Sequence, residues 1–331
     1  MGEINLNNKK ILYIGPTSFH YDKYLIKKLI DYGAAVHYYD FLNLYPSNLF
    51  TRIVNKIKSR SKEAYKQKFY NQILSKNDHD YVLVRQGYQL DRYFLEDLRK
   101  ANSKAKFINF HWDSIRPQFD YLHLIQFYDK IYSFDIKDCQ DHAPLNYLPL
   151  FYLDVYGEFR KNKFEDNKEK KYDVLFIGSW RDTERYNLIK LTENLCKETQ
   201  LHFYHYLYFS FKNQIRSFKR GVIPKKAKAK KLSHEDILNL FNKTNAVIDF
   251  PSSFQTGLTI RTFETLGAGK KLITTNRNIM NEPFYNPEYI DVIDMNNFTL
   301  NLDFIRHTPS TSIEEKISNY SLGKYVNKLL Q

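Results

Sequence analysis

The sequence predicts an α/β protein built from two Rossmann-like domains, and three observations carry that reading. Strand-like apolar runs alternate with helix-like segments almost throughout, the pattern of a parallel sheet covered by helices. The alternation begins with KKILYIG (residues 9–15) and restarts with YDVLFIGSW (172–180), each an apolar strand closing on Ile-Gly before a polar loop. Between them GEFRKNKFEDNKEKKY (156–171) is charged and lacks apolar periodicity, which makes it the expected linker. At 331 residues there is room for two domains, each with its own core. The expected division is therefore 1–155, a linker at 156–171, and 172–311. The two halves would leave a cleft where their strand ends face each other.

In the first half, strand 9–15 stops at Gly15-Pro16, and Tyr24, Leu25 and Leu29 give helical spacing up to Gly33. AAVHYYD follows as a strand, and a basic segment from Arg52 to Lys68 reads as an exposed helix. Strand YVLVRQG (81–87), helix 91–101 and strand KFINFHWD (106–113) come next. A helix around 117–127 and strands 130–135 and 145–152 complete the unit. The second half reads as helix 182–197, strand 201–207, a basic loop, helix 233–243, strand 245–250 and strand 270–276. In the tail, Ser312 and Glu315 have capping-box spacing, and an amphipathic helix over 312–331, interrupted at Gly323, is expected to pack back on the first domain.

Bulk properties narrow the function classes. No uncharged apolar run is long enough to span a membrane, and MGEINLNNKKILYIG is not a signal peptide. Cys139 and Cys196 are far apart in sequence, without metal-ligand spacing, and read as thiols in a reducing cytosol. The formal charge of +13 favours an anionic partner: a phosphorylated substrate, a membrane surface or a nucleic acid. The 27 Tyr and 25 Phe suit sugars, bases or a lipid interface; an AT-rich genome would also enrich Lys, Asn, Tyr and Ile. Residues 216–231 carry eight Lys or Arg, which could dock on anionic lipid or form a solvated loop. The basic residues match no DNA-reading motif, which argues against nucleic acid.

The most informative stretch is FPSSFQTGLTIRTFETLGAGKKLITTN (250–276). It reads as a Gln/Thr/Gly loop, a short helix carrying Arg261 and Glu264, a Gly-Ala-Gly break and a buried strand. A loop feeding a helix N-terminus leaves N–H groups and the positive dipole end for a phosphate. Arg261 and Glu264, three apart, share one helix face; a guanidinium suits phosphate and a carboxylate suits two ribose hydroxyls. An ordinary surface ion pair on a helix has the same spacing.

This region, with two Rossmann-like halves and a Gly-ended first strand in each, resembles the GT-B glycosyltransferases. Among them it is most similar to the bacterial CgeB-like and lipopolysaccharide or capsule biosynthesis proteins. The likeness is specific over 245–276, looser over 172–181 and 106–117, and otherwise architectural. It implies that Glu264 binds ribose and that Gln255, Thr256, Gly257 and Leu258 lie beside the diphosphate with Arg261 near. It further implies that Gly178, Ser179 and Arg181 form the phosphate-facing loop after the first strand of the nucleotide domain. Many retaining members have a second Glu eight positions before the ribose Glu. Thr256 stands there in this chain, which tilts the expectation towards inversion.

The resemblance implies a sugar moved from a nucleotide-sugar donor to a surface-glycan or lipid-linked acceptor, in the cytoplasm or at the inner membrane face. No metal or other cofactor is expected, because cations and helix N-termini can stabilise the leaving diphosphate. Asp113, closing strand FHWDS, is the first candidate for the base that takes the acceptor's proton; capping the next helix is its other reading. His20, in the loop after the first strand, is the second candidate. Gln86 and Gly87 are placed on the acceptor side by position. The rivals are a sugar-nucleotide epimerase of the same architecture, a DNA-binding or DNA-modifying protein, and a relative that has lost its chemistry.

Overall fold

The structure, a computed structural model, describes residues 4–16, 21–41, 59–162, 170–210, 226–252 and 254–331. The chain forms two compact units: unit 1 comprises Met1–Pro149 and Leu322–Gln331, and unit 2 comprises Leu150–Ser321.

Unit 1 is a six-stranded parallel sheet. Its strands are β1 (Lys10–Ile14), β2 (Ala35–Tyr39), β3 (Tyr81–Arg85), β4 (Lys106–His111), β5 (Lys130–Ser133) and β6 (Asn146–Tyr147). They lie in the order β2-β1-β3-β4-β5-β6, so the winding reverses between β1 and β3. Helices α1 (Tyr21–Asp31), α2 (Ser59–Leu74), α3 (Arg92–Ala101) and α4 (Ile136–Asp141) belong to the same unit. Covered strands read as continuous apolar runs rather than alternating ones, and β1 and β3 are buried from their second residue onwards. Leu12, Ile14, Val82, Val84 and Phe107 meet Phe94, Leu95 and Leu98 of α3 in one core.

Unit 2 repeats the plan with five parallel strands, β7 (Tyr172–Ser179), β8 (Phe203–Tyr208), β9 (Thr244–Asp249), β10 (Lys271–Thr274) and β11 (Ile290–Val292). Their order is β8-β7-β9-β10-β11, with the reversal between β7 and β9. Its helices are α5 (Asp154–Lys161), α6 (Thr183–Glu198), α7 (His234–Asn242), α8 (Ile260–Gly267), α9 (Leu302–Arg306) and α10 (Glu314–Ile317). Helix α11 (Leu322–Leu330) then returns to unit 1, where Trp112 Nε1 donates to the Tyr325 hydroxyl at 3.0 Å.

Several boundaries differ from those expected. The chain passes between units at 149/150 and 321/322. Phe151, Leu153 and Tyr156 are fully buried in unit 2, so the segment read as linker starts inside α5; residues 163–169 lie outside those described. Residues 117–127 form two 3-10 turns, Pro117–Phe119 and Leu122–Phe127, rather than one helix. Of the strand read at 145–152, only Asn146–Tyr147 pairs with β5 and Tyr152 makes a separate bridge to Ser321; between them Pro149 has no N–H for a ladder. The tail is not one helix: Ser321 is extended between a 3-10 turn and α11, while Gly323 lies inside α11. Ser312 accepts from the N–H of Glu314, so the expected capping box is not formed. The basic segment is helical from Ser59; residues 42–58 and 211–225 are outside those described. Among the described residues no helix is long and apolar enough to cross a membrane.

Candidate functional site

In unit 2 the carboxyl ends of β7, β9 and β10 open on a cleft of about 300 Å³. It is lined by Asp182 and Arg185 of α6 and its cap, Ser252 and Gln255 after β9, Asn276, Arg277 and Asn278 after β10, and Met295 after β11. This is the edge at which open parallel sheets bind ligands, beside the reversal of winding.

Local hydrogen bonds explain how these side chains are held. The Asp182 carboxylate accepts from the N–H of Arg185 at 2.9 Å and so caps α6. The Arg185 guanidinium then reaches across the reversal, donating to the Ser179 carbonyl at 3.3 Å and the Phe250 carbonyl at 2.5 Å. Burial, with Arg181 nearby, draws its pKa below the usual arginine value. Asn276 Nδ2 donates to the carbonyls of Thr256 and Gly257 at 3.0 and 3.3 Å, and Asn278 Nδ2 to Thr256 at 3.1 Å. Gln255 Nε2 donates to the Gly257 carbonyl at 2.8 Å. Loop 255–257 is thus pinned to the loop after β10, immediately before α8. Thr259 caps α8 and donates to Asp249, whose carboxyl burial pushes up.

Of the donor residues expected, Gln255 lines the cleft, Thr256 and Gly257 are held against it through Asn276 and Asn278, and Leu258 is buried. Gly178 and Ser179 close β7, and Arg181 is exposed in the loop after it. A Cβ at Gly178 would come within 2.7 Å of the Phe176 ring, so that glycine serves packing against Phe176. Arg185, Asn276, Arg277 and Asn278 are cleft residues that the sequence reading missed.

Arg261 and Glu264 do pair, with Nη1 and Oε2 at 2.7 Å, but deep in unit 2: the Glu264 side chain is 0% exposed. His234 Nδ1 of α7 lies 3.8 Å from Glu264 Oε1, and the Tyr156 hydroxyl of α5 is 3.0 Å from the same Nδ1. Burial pushes the Tyr156 hydroxyl well up, with the Glu264 charge adding to it.

Unit 1 carries its own polar centre at the β1/β3 reversal. Arg85, fully buried at the end of β3, grips Asp22 of α1 through Nε–Oδ1 at 2.5 Å and Nη2–Oδ2 at 2.9 Å. The Tyr13 hydroxyl donates to the same carboxylate at 2.5 Å, and Arg85 lies 4.5 Å over the Trp112 ring. Next in sequence, Gln86 and Gly87 both adopt positive φ (65° and 78°). For Gln86 this costs on the order of 1–3 kcal/mol, held in place by its surroundings. Asn109 Nδ2 clamps the Val84 and Gln86 carbonyls, and Gln86 Nε2 donates to the Asp113 carboxylate. Asp113 is half-buried with Arg116 Nη2 at 3.9 Å. It caps no helix: the next helical turn starts at Pro117 with Arg116 in the cap position. The structure therefore brings Gln86 and Asp113 together, whereas His20 lies outside the described residues. Among the described residues no three His, Cys, Asp or Glu are grouped as a metal site.

No protein-family model matches the chain, and no curated protein does either. Among solved structures, UDP-N-acetylglucosamine 2-epimerase from Rickettsia bellii is similar with a TM-score of 0.53 at 13% identity, over 97% of this chain and 95% of that one. The UDP-GlcNAc 2-epimerase from Neisseria meningitidis bound to UDP-GlcNAc gives 0.46 at 12% identity, over 97% and 98%. MurG from Acinetobacter baumannii gives 0.46 at 9% identity, over 97% and 95%. At such identities the likeness is one of fold: the chain has two Rossmann-like domains, the GT-B architecture.

Proposed function

We propose that the chain is a metal-independent glycosyltransferase whose unit 2 binds a nucleotide-sugar donor. The observation that supports this most is the polar cleft at the β7/β9 reversal, with the Arg185 guanidinium fixed across it. Cations held there, together with the α8 N-terminus, would stabilise a diphosphate leaving group as its charge develops. Asn276 spends both amide hydrogens on the carbonyls of Thr256 and Gly257 and so holds the loop, while the side-chain amides of Gln255 and Asn278, each giving one hydrogen to that loop, would supply donors and acceptors suited to a nucleotide's hydroxyls and base. In unit 1, Asp113 is the proposed base, its carboxylate oriented by the Gln86 amide, for the hydroxyl of a saccharide or lipid-linked acceptor. A surface-glycan acceptor, inversion at the anomeric carbon and a cytoplasmic, membrane-peripheral setting rest on the resemblance of residues 245–276.

The test is thermal unfolding of the purified chain with UDP, GDP, CMP, ADP and dTDP. One of them at about 100 times its Kd should stabilise the fold by roughly 2.7 kcal/mol. Arg277→Ala, at the cleft wall, should bind that nucleotide about tenfold more weakly with an unchanged Tm in its absence. Silence across the panel overturns the proposal. With a responder identified, its sugar should be consumed only when an acceptor is present; consumption without acceptor would identify an epimerase instead. Asp113→Asn should abolish transfer while donor affinity stays within twofold, and an active variant would remove Asp113 from the role of base.

A further inference from the structure

The side chains that line the cleft of unit 2 offer a ligand more acceptors than hydrogens on the wall between α6 and the loops after β9 and β10. Asn276 is spent, its amide hydrogens on the Thr256 and Gly257 carbonyls and its oxygen on the N–H of Asn278. Gln255 and Asn278 each keep one amide hydrogen and the amide oxygen. Asp182, half-buried in the same wall, is an acceptor only. Among the described residues one hydrogen bond falls on its carboxylate, from the Arg185 N–H to Oδ1, so Oδ2 remains for a ligand. Glu184, a second carboxylate, lines the wall beside it.

Two helix starts adjoin the cleft, and their caps sort the ends of a nucleotide. Helix α6 begins with Asp182 as its cap and Glu184 in its first turn, so that end is unfavourable to an anion. Helix α8 begins on the Thr259 hydroxyl and has no acidic residue in its first turn. Arg277 lines the cleft after β10, which is two strands from β7 in the sheet, roughly 10 Å at ordinary strand spacing. The phosphates therefore belong with α8 and Arg277, and the base with Asp182.

The bases differ in what they show a carboxylate. Guanine sets two donors side by side, N1–H and the N2 amine, at the spacing that one carboxylate bridges. Uracil and thymine place their single N3–H between two carbonyl oxygens, which a carboxylate repels. Adenine and cytosine show one amine beside a bare ring nitrogen. We propose that the donor is a guanosine diphosphate sugar whose guanine is read by Asp182. This rests on the nucleotide-sugar reading of the same cleft and names the base that it leaves open.

The experiment uses the full chain with GDP, with inosine diphosphate, which lacks only the N2 amine, and with UDP, CMP, ADP and dTDP. GDP should bind tightest, and inosine diphosphate about ten- to a hundredfold more weakly, the worth of a hydrogen bond to a charged group. Asparagine caps helices as aspartate does, so Asp182→Asn should keep its Tm without ligand. With Oδ1 still on the Arg185 N–H, the new amide shows the base a donor in place of Oδ2. GDP and inosine diphosphate should then bind almost equally, both more weakly than GDP binds wild type, with UDP no weaker than before. A preference for GDP over inosine diphosphate that survives in Asp182→Asn removes Asp182 as the reader and overturns the proposal. The wild-type comparison decides even if that variant does not fold: inosine diphosphate, or any other nucleotide, binding as tightly as GDP overturns the guanine assignment and leaves the nucleotide-sugar reading standing. Silence across the whole panel overturns both.

Discussion

Arg85 and Asp22 carry the highest stakes of any side-chain pair in unit 1, because both are out of reach of water and each is the other's counter-charge. Burial pushes the Asp22 carboxyl up, and Arg85 and Tyr13 oppose it. Asp22→Asn strands a guanidinium in the core and should cost about 3–5 kcal/mol, read as a lower midpoint in urea. The arginine was visible as the one charge in YVLVRQG, yet its partner was not, since Asp22 lies 63 positions away and only the β1/β3 reversal makes them neighbours. Glu288 gives a pH prediction of known sign. Hydrogen bonds from Ser310 and Thr311 draw its carboxyl down to about 2 from an ordinary 4.5. The unfolded state therefore takes up the proton first as pH falls, so this contribution is present above pH 4.5 and is lost towards pH 2. Glu288→Gln should flatten that part of a Tm-against-pH curve, and an unaltered curve would contradict the assignment.

Helix α8 shows what a short segment can and cannot reveal. Its loop, its Arg-x-x-Glu face and its Gly-Ala-Gly end were legible because capping, helical period and glycine punctuation are local. Its burial was not legible, because an i,i+3 ion pair looks the same on a surface and in a core. The glycines are used differently too. Gly269 takes φ +65° after the helix, whereas Gly267 gives way to Tyr152: an added Cβ would lie 2.5 Å from the base of that ring. Gly267→Ala should therefore destabilise by about 1–3 kcal/mol despite alanine's better helix propensity. A gain in Tm would show that Tyr152 moves aside freely. The misread elements, 117–127 and 145–152, are short 3-10 turns and a two-residue strand, where pairing partners and Pro149 outweigh local periodicity.

At the scale of the molecule, the twofold use of one winding plan was readable from the repeated apolar strand ending in Ile-Gly, and both sheets carry it. Where one unit ends and the next begins was not, because charge and low periodicity mark solvent exposure rather than a seam, and α5 hides Tyr156 beneath a charged face. The seam is also crossed twice: unit 2 interrupts unit 1, and α11 closes the account of a sheet begun some three hundred positions earlier. A ribosome makes residues in order, so the whole of unit 2 is produced before the helix that carries Tyr325 to Trp112 and Lys328 to the Tyr132 hydroxyl. Unit 2 is contiguous, so no part of it is still to be made once Ser321 has been added. Unit 1, though made first, must wait with that docking surface bare, and any slowing of translation through residues 150–321 lengthens the time for which a chaperone, or a wrong partner, finds it uncovered.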